Sequence, residues 1–341
     1  MGQTMCCIHP RPRTTGGNKH QISIEDIHWS NVISNVEEKR HGLSSGRISR
    51  PETLVDKSST SFVNEISGMA HPYAVSKPQR TFFEEKGYLI IKDCLSIAET
   101  RDLQAWVQDV HGLPRTIDCP YIPYEEVNSS RDRVLCRTEN FANTHSEFGA
   151  LLRGAKLLSI LEQLNGDEML LFKEKINFKF AGSGGFQPHI DRTGYGDFKK
   201  LQHLAILIAA DDATSLNGCL EVVEGSHKMT VPIGTDNCIT PDWVAARNWI
   251  PVEMKAGELM IFGSSLAHRS GPNASSKDRR AVYATYNSKS EGDLHDAYYE
   301  RRAKLYPATH KRREGVDYSS GAQNYAYGTP MRSVEKSNGG S

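Results

Sequence analysis

The amino-acid sequence predicts a mainly β fold, a double-stranded β-helix (jelly roll, cupin-like) core with flanking N-terminal helices. Two patterns lead to this prediction. From Leu170 to Asn287, short runs with alternating apolar and polar positions are separated by turn residues, as in antiparallel β proteins. Before Leu170, the apolar positions follow the helical period instead. Helices should therefore precede the β core.

Residues 1–75 contain no sustained apolar period. They are rich in Ser, Arg, Asn and Gly, and such a composition buries too little apolar surface to fold, so a disordered extension is predicted. Gly2 gives only a weak acylation signal, because position 6 is Cys where the myristoylation pattern needs Ser or Thr. The fold proper is expected to begin near Lys77.

Capping residues and glycines mark the elements before the β core. Thr81 with Glu84 and Ser96 with Glu99 fit capping boxes at the starts of two helices. The predicted elements are a helical turn from Thr81 to Gly87, a strand at 88–91, a helix after Ser96, and helices at 144–153 and 155–164.

The strand predicted at 172–180 has two different faces. One is apolar apart from Glu174, and the other is polar and carries Lys173, Lys175, Asn177 and Lys179. On an edge strand the polar face would be solvated. The alternative is that it lines a pocket.

A candidate metal site follows this strand. His189 and Asp191 are two residues apart, so in an extended strand they leave on the same face. His268, just after the apolar run at 259–262, is the best placed third ligand. Two histidines and one carboxylate on one face of an octahedral metal leave three positions open, as in non-haem Fe(II) oxygenases. Taken alone, a His-x-Asp pair is in most chains two solvated or hydrogen-bonded side chains.

A candidate for binding an anion is Arg279. It follows His268 by eleven positions, across a turn-forming segment at 271–278, and is predicted on the strand paired with that of His268. Its planar guanidinium can bind the distal carboxylate of a metal-chelated dicarboxylic oxo acid. Arg280 is the competing choice, because neighbours on a strand face opposite sides, and the sequence does not decide between them.

Together these features resemble the phytanoyl-CoA dioxygenase (PhyH) family of Fe(II)/2-oxoglutarate-dependent oxygenases over about residues 78–306. The resemblance rests on the order and spacing of FEEKGYLII at 83–91, HID at 189–191, NGCLEVVEGSH at 217–227, AGE at 256–258, HRSG at 268–271, and Arg279. It implies three metal ligands, His189, Asp191 and His268. It also implies co-substrate contacts from Arg279, Asn177, Ser270 and Lys175.

The resemblance further implies a dioxygenase domain at 76–310 followed by a C-terminal tail at 311–341. The implied cofactors are Fe(II), 2-oxoglutarate as co-substrate and O2, with ascorbate as a helpful reductant. The implied reaction hydroxylates an unactivated C–H bond and releases succinate and CO2.

The substrate is less clearly indicated. Residues 298–302, together with Arg137 and the lysine-bearing strand, resemble the aminophosphonate hydroxylases of the family, which implies a small polar or zwitterionic metabolite. A secondary metabolite or an acyl-CoA α-hydroxylation is an alternative, and residues 298–304 are also compatible with a surface helix. Outside this reaction class, the alternatives are a non-catalytic jelly-roll binding protein and a cupin-type isomerase or Zn(II) hydrolase, which would not need Arg279.

Composition limits the partners. The 41 basic and 41 acidic residues leave no net charge, so no nucleic-acid partner is expected, and no apolar run approaches the roughly 20 residues that span a membrane. Seven cysteines without a Cys-x-x-Cys pair indicate a reducing compartment rather than a disulfide framework. A cytoplasmic enzyme with a small-molecule substrate is expected, and its oligomeric state is left open.

Overall fold

The computed structural model describes residues 73–334, with only the backbone described for Asp197 and Lys199. The extension predicted at 1–75 therefore lies almost entirely outside the described residues, as do residues 335–341. The helices are α1 (Lys77–Lys86), α2 (Ile97–Gly112), α3 (Ser146–Leu152), α4 (Ala155–Asn165), α5 (Pro241–Ala245), α6 (His295–Leu305) and α7 (Ser319–Tyr325). The strands are β1 (Tyr88–Ile91), β2 (Ile122–Val127), β3 (Arg133–Glu139), β4 (Met169–Lys179), β5 (Phe186–His189), β6 (His203–Ala209), β7 (Leu220–Val222), β8 (Ile250–Val252), β9 (Leu259–Gly263), β10 (His268–Ser270) and β11 (Arg279–Ser288).

The strands form two antiparallel sheets. The larger has seven strands in the order β1-β9-β6-β11-β4-β3-β2, and the smaller has four in the order β5-β10-β7-β8. The prediction of a mainly β protein with flanking helices is thus confirmed, but β2 and β3 of the larger sheet precede Leu170 and were not predicted. No helix among the described residues is long and apolar enough to cross a membrane.

The larger sheet is covered on both faces. On β6, Ile206 points to one face and packs with helix residues such as Leu103 and Ile160, whereas Leu207 points to the other and packs with Val222 of the smaller sheet. This alternation follows from the two-residue period of a strand. It explains why β6 is apolar at nearly every position, and it forms two core layers, one beneath the helices and one between the sheets.

The first helix starts earlier than the sequence indicated. Ser76 is its N-cap, and Gln79 completes the capping box, so Thr81 lies within α1 rather than at its start. Pro78 explains the difference, because a proline is tolerated in the first helical turn and not in the helix interior. The second predicted capping box, Ser96 with Glu99, is confirmed at the start of α2.

β4 lies inside the larger sheet, between β11 and β3, and is not an edge strand. Lys179 and Asn177 on its polar face are buried, with exposed fractions of 2% and 6%. The pocket alternative for this face is therefore the one that the structure supports, and the solvent alternative is wrong.

Glu174, the polar exception on the apolar face of β4, anchors α6. Its carboxylate accepts a hydrogen bond from the Ala142 backbone N–H at 2.8 Å and lies 2.8 Å from Nε2 of His295. The Tyr299 hydroxyl donates to the Glu174 carbonyl at 2.6 Å. Burial lowers the pKa of His295, but the hydrogen bond and charge of Glu174 outweigh burial and hold that pKa above its usual value. This buried pair fixes α6, which carries residues of the cavity described below.

Residues 311–334, which the sequence analysis described as a tail, fold against the body of the protein. α7 buries Tyr325 and Ala322, and the Tyr327 hydroxyl donates to the Ile190 carbonyl at 3.0 Å. The Gln187 backbone N–H donates to the Gly328 carbonyl at 2.7 Å. This segment therefore contacts the backbone on both sides of His189.

Replacing His295 with Gln should lower the free energy of unfolding by about 3 kcal/mol, because the change leaves the Glu174 carboxylate buried without a cation. Since the pKa of His295 is raised on folding, its protonation stabilises the protein fully below pH ~6.5 and less as pH rises through the higher folded value. Urea unfolding of His295→Gln and the parent protein should therefore differ more at pH 6 than at pH 9. Glu300→Gln is the matched control, because Glu300 is exposed on the same helix and its change should stay within about 0.5 kcal/mol. A difference that does not vary with pH would contradict this account.

Candidate functional site

His189, Asp191 and His268 lie together at one end of the smaller sheet. His189 ends β5 and is paired directly with His268, the first residue of β10, so that the two ring centroids are 4.1 Å apart. Ile190 is extended, and Asp191 begins the 3-10 segment Asp191–Lys200. One ligand atom of each residue lies within 4.8 Å of those of the other two. The strand predicted through Asp191 ends two residues earlier, but the predicted cluster is formed.

Both imidazoles direct Nε2 toward this cluster. Nδ1 of His189 is 2.6 Å from the Gln187 carbonyl, and Nδ1 of His268 is 2.9 Å from the Leu266 carbonyl. A carbonyl only accepts, so Nδ1 carries the proton in each ring and Nε2 has a free lone pair. Each Nε2 is 3.9 Å from Oδ1 of Asp191, too far for a hydrogen bond. The three atoms therefore converge without bonding to one another.

Electrostatics favour the metal-binding form of all three side chains. Burial lowers the pKa of His189 to about 3, with His268 adding to the effect, and burial also lowers the pKa of His268. Burial alone would raise the pKa of Asp191, but His268, Lys175 and Lys173 outweigh it and hold that pKa well below its usual range. Two neutral imidazoles and one carboxylate form the donor set that suits a divalent iron ion.

The two adjacent arginines of β11 face opposite sides. Arg280 forms a two-pronged ion pair with Asp211, at 2.7 and 2.8 Å, on the outside. Arg279 is 3% exposed and donates to the Gly218 carbonyl at 3.0 Å. Arg279 is thus the arginine on the inner side, and its neighbour on that side is Lys179, directly opposite on β4. The predicted pairing of its strand with that of His268 is wrong, because β11 pairs with β4 and β6 in the larger sheet and β10 belongs to the smaller one.

The other predicted co-substrate residues also lie on the inner side of the sheets. Asn177 accepts a hydrogen bond from Nε of Arg137 at 2.9 Å, and Ser270 accepts one from Lys179 at 2.8 Å. The Lys175 ammonium lies 5.0 Å from the centre of the Tyr283 ring. Burial lowers the pKa of Lys175 well below its usual value, and the charge of Arg137 adds to this effect. These side chains form one continuous polar row with the His-Asp-His cluster.

A cavity opens beside Asp191 and is rich in cations. It is lined by Arg137, Lys173, Lys175, Phe186, His189, Asp191, Gly194, Tyr298, Arg302, Asn324, Tyr325, Tyr327 and Thr329. The Lys173 ammonium lies 4.4 Å from the centre of the Tyr195 ring, and neither it nor the Lys175 ammonium forms a hydrogen bond or ion pair within the described residues. Burial lowers the pKa of Lys173 to about 8. The charges of Asp191 and Glu139 act on both ammonium groups, but neither carboxylate forms a direct ion pair with them.

Two of the arginines at the cavity are joined by a buried carboxylate. Arg302 binds Glu139 through two nitrogens, both at 2.9 Å, and Nη1 of Arg137 donates to the same carboxylate at 3.2 Å. The Tyr298 hydroxyl accepts from Arg302 at 3.2 Å. The Glu139 carboxylate thus binds two arginines. Arg302 is held in place by Glu139 and by the Tyr298 hydroxyl. Nη2 of Arg137 makes no hydrogen bond within the described residues.

Several residues at the cavity were not singled out from the sequence. Lys173 was placed on the polar face of this strand by the alternation of β4, but it was not named as a site residue. Tyr325 and Tyr327 lie in the segment described as a tail and carry no motif that could have indicated them. Arg137 and the 298–302 segment, which the sequence analysis grouped as candidates for substrate contact, are linked through the Glu139 carboxylate.

Comparison with known proteins agrees with this geometry. Residues 83–281, more than half of the chain, match the phytanoyl-CoA dioxygenase (PhyH) family. A 2-aminoethylphosphonate dioxygenase from the uncultured bacterium HF130_AEPn_1 is 31% identical over 258 residues, which cover 75% of this chain and 98% of that protein. A methylphosphonate hydroxylase from Gimesia maris is 32% identical over 225 residues, covering 66% of this chain and 85% of that protein.

Among solved structures, EctD from S. alaskensis with 2-oxoglutarate and 5-hydroxyectoine is similar, with a TM-score of 0.57 and 21% identity. The match covers 63% of this chain and 77% of that chain, and at this identity it concerns the fold. The resemblance predicted from the sequence motifs is confirmed by the family match and by the two phosphonate-oxidising relatives. The chain therefore belongs to the phytanoyl-CoA dioxygenase (PhyH) family and is a dioxygenase of its 2-oxoglutarate-dependent class.

Proposed function

We propose that this dioxygenase hydroxylates an unactivated C–H bond of a small metabolite that carries a phosphonate or a similar anionic group. One atom of O2 enters the product and the other enters succinate, while 2-oxoglutarate loses CO2. The observation that carries the substrate class is that the Lys173 ammonium, which lines the cavity beside Asp191, forms no hydrogen bond or ion pair within the described residues. A buried cation without an anion is costly, and an anionic substrate offsets that cost.

The fold assigned to this activity is a double-stranded β-helix formed by the two antiparallel sheets. Support comes from the apolar layer that the sheets share, in which Leu207 and Phe262 of the larger sheet pack with Val222 of the smaller one. In this arrangement His189 and His268 lie at the mouth of the space between the sheets, where a small ligand can enter.

The iron is assigned to His189, Asp191 and His268, through Nε2, a carboxylate oxygen and Nε2. When bound, iron together with 2-oxoglutarate supplies the oxidising chemistry that cleaves the C–H bond. The carbonyls of Gln187 and Leu266 hold both imidazoles in the tautomer that leaves Nε2 available. The protein thus contributes ligand geometry before any metal arrives.

The 2-oxoglutarate contacts are assigned to the polar row on β4, β10 and β11. Arg279 binds the distal carboxylate, with Ser270 beside it, and Asn177 and Lys175 continue the row toward Asp191. Burial of Arg279 supports this assignment, as does the commitment of Arg280 to Asp211 on the outside. A planar guanidinium suits a carboxylate because it can donate two parallel hydrogen bonds.

The substrate anion is assigned to Lys173 and the open Nη2 of Arg137. Asp191 is the sole acidic side chain among the described residues that line the cavity, and Glu139 behind it is bound to two arginines. An ammonium group on the substrate would therefore meet the tyrosine side chains of the cavity rather than a second carboxylate. Both 2-aminoethylphosphonate and methylphosphonate belong in the test panel, since one carries an amine and the other does not.

Purified protein supplied with Fe(II), 2-oxoglutarate, ascorbate and O2 should release succinate in proportion to a phosphonate substrate. His189→Ala and Asp191→Ala should each abolish this release and weaken anaerobic Fe(II) binding, because they remove a ligand. His227→Ala is the control, since Nε2 of His227 is directed at the Glu84 carbonyl and not at the cluster.

The substrate panel includes carboxylate analogues and an acyl-CoA. Fe(II) and 2-oxoglutarate binding without substrate-dependent succinate would favour a non-catalytic binding protein, and unchanged turnover in Asp191→Ala would mean that the metal site is misplaced.

Lys173→Met should raise KM for the phosphonate by roughly 10-fold or more, because a hydrogen bond between charged groups is lost, while kcat changes less. The affinity for 2-oxoglutarate should stay within about twofold, since Lys173 is assigned to the substrate. Lys92→Met is the matched control, because Lys92 is exposed and lies outside the cavity. An unchanged KM in Lys173→Met, or an equal loss for 2-oxoglutarate, would contradict the assignment.

A further inference from the structure

Lys179 and Arg279 are two buried cations that face each other across the pairing of β4 with β11. Their exposed fractions are 2% and 3%. Like charges directly opposite one another destabilise a sheet, and burial adds a desolvation cost. Within the described residues neither forms an ion pair, and their hydrogen-bond partners are uncharged. This arrangement suits a site that is completed by an anion.

The Lys179 ammonium has three donors, and all three are used. It donates to Oγ of Ser270 at 2.8 Å, to the Gly271 carbonyl at 2.5 Å and to the Gly218 carbonyl at 3.2 Å. An ammonium cannot accept, so Ser270 must act as the acceptor in their contact. The Ser270 hydroxyl proton is thereby directed away from Lys179, and it has no acceptor within the described residues. The Ser270 hydroxyl is therefore held as a hydrogen-bond donor that points away from Lys179.

Arg279 is also incompletely paired. Nη2 donates to the Gly218 carbonyl at 3.0 Å, and Nε is buried with no hydrogen-bond partner among the described residues. Gly218 has φ +72, and a Cβ there would lie 2.3 Å from the Gly271 carbonyl oxygen and 2.9 Å from Lys179 Nζ. Only glycine fits at this point, so one backbone carbonyl can hold both cations in place.

We propose that Lys179 is a positioning residue for 2-oxoglutarate: it fixes the Ser270 hydroxyl as a donor to the distal carboxylate bound by Arg279. It also adds a second positive charge beside that carboxylate. This inference rests on the proposed function. Burial lowers the pKa of Lys179 to about 7, and the charge of Arg279 adds to this effect. A bound carboxylate raises the same pKa. The two cations therefore become compatible when the dicarboxylate is present.

The test measures binding of two oxo acids to the Fe(II)-loaded protein by calorimetry without O2. The first is 2-oxoglutarate, and the second is 2-oxobutanoate, which has the same metal-chelating end but no distal carboxylate. Lys179→Met should weaken 2-oxoglutarate binding by roughly 10-fold or more, while 2-oxobutanoate stays within about twofold. Ser270→Ala should act in the same direction. In the double variant the loss should be smaller than the sum of the two single losses, because Lys179 acts in part through Ser270. Lys277→Met, an exposed lysine in the preceding turn, is the control.

The possible outcomes distinguish a failure of the proposed function from a failure of the role assigned to Lys179. A parent protein that binds neither oxo acid contradicts the proposed function itself. A parent that prefers 2-oxoglutarate while Lys179→Met keeps that preference, or loses both acids equally, overturns the role of Lys179. If Lys179→Met does not fold, as judged by its melting transition, Ser270→Ala alone decides: retention of the preference for 2-oxoglutarate in that variant overturns the inference.

Discussion

The site depends on the antiparallel pairing of β5 with β10. His189 lies directly opposite His268 in this pairing, and Asp191 follows two residues later, so one strand register brings three ligand side chains to one point. A shift by one residue would turn one histidine to the other face of the sheet. Each histidine is also oriented by the carbonyl two residues before it, at Gln187 and Leu266. The same contact, from Nδ1 to the carbonyl two residues earlier, therefore orients the histidine on both strands. The register of β5 against β10 then places both Nε2 atoms.

The second constraint is the cost of burying positive charge along β4. Lys173, Lys175 and Lys179 recur at inward positions, and the pKa of each is lowered because burial disfavours the charged form. A sequence selected for stability alone would place apolar residues on this face, as it does on the opposite one. In the proposed function this row is a binding surface, and burial of the two apolar layers offsets its local cost in folding free energy. Ligand-free protein should for this reason be less stable than protein with its acids bound.

The sequence predicted the parts of this protein that obey local rules. The His-x-Asp spacing, the later histidine and the inward face of β4 follow from the two-residue period of strands, and Ser96 with Glu99 follows from helix capping. Ser76 was missed because a second possible capping box, at Thr81, lies one turn further on. The choice between Arg279 and Arg280 needed the position of Asp211, which lies on a different part of the chain. Such side-chain pairings depend on tertiary packing and leave no periodic signal.

The C-terminal segment extends the site to a distant part of the chain. Tyr327 donates to the carbonyl of Ile190, the residue between two of the cluster's members, and Gly328 accepts from the backbone of Gln187. The peptide that carries the cluster is thus held from outside by a segment 137 positions later in the chain. Local unfolding of residues 311–334 would remove the hydrogen bonds at Ile190 and Gln187 while every strand of the two sheets stays paired. Proteolysis within this segment should therefore disturb the positions of His189 and Asp191 without cutting any strand.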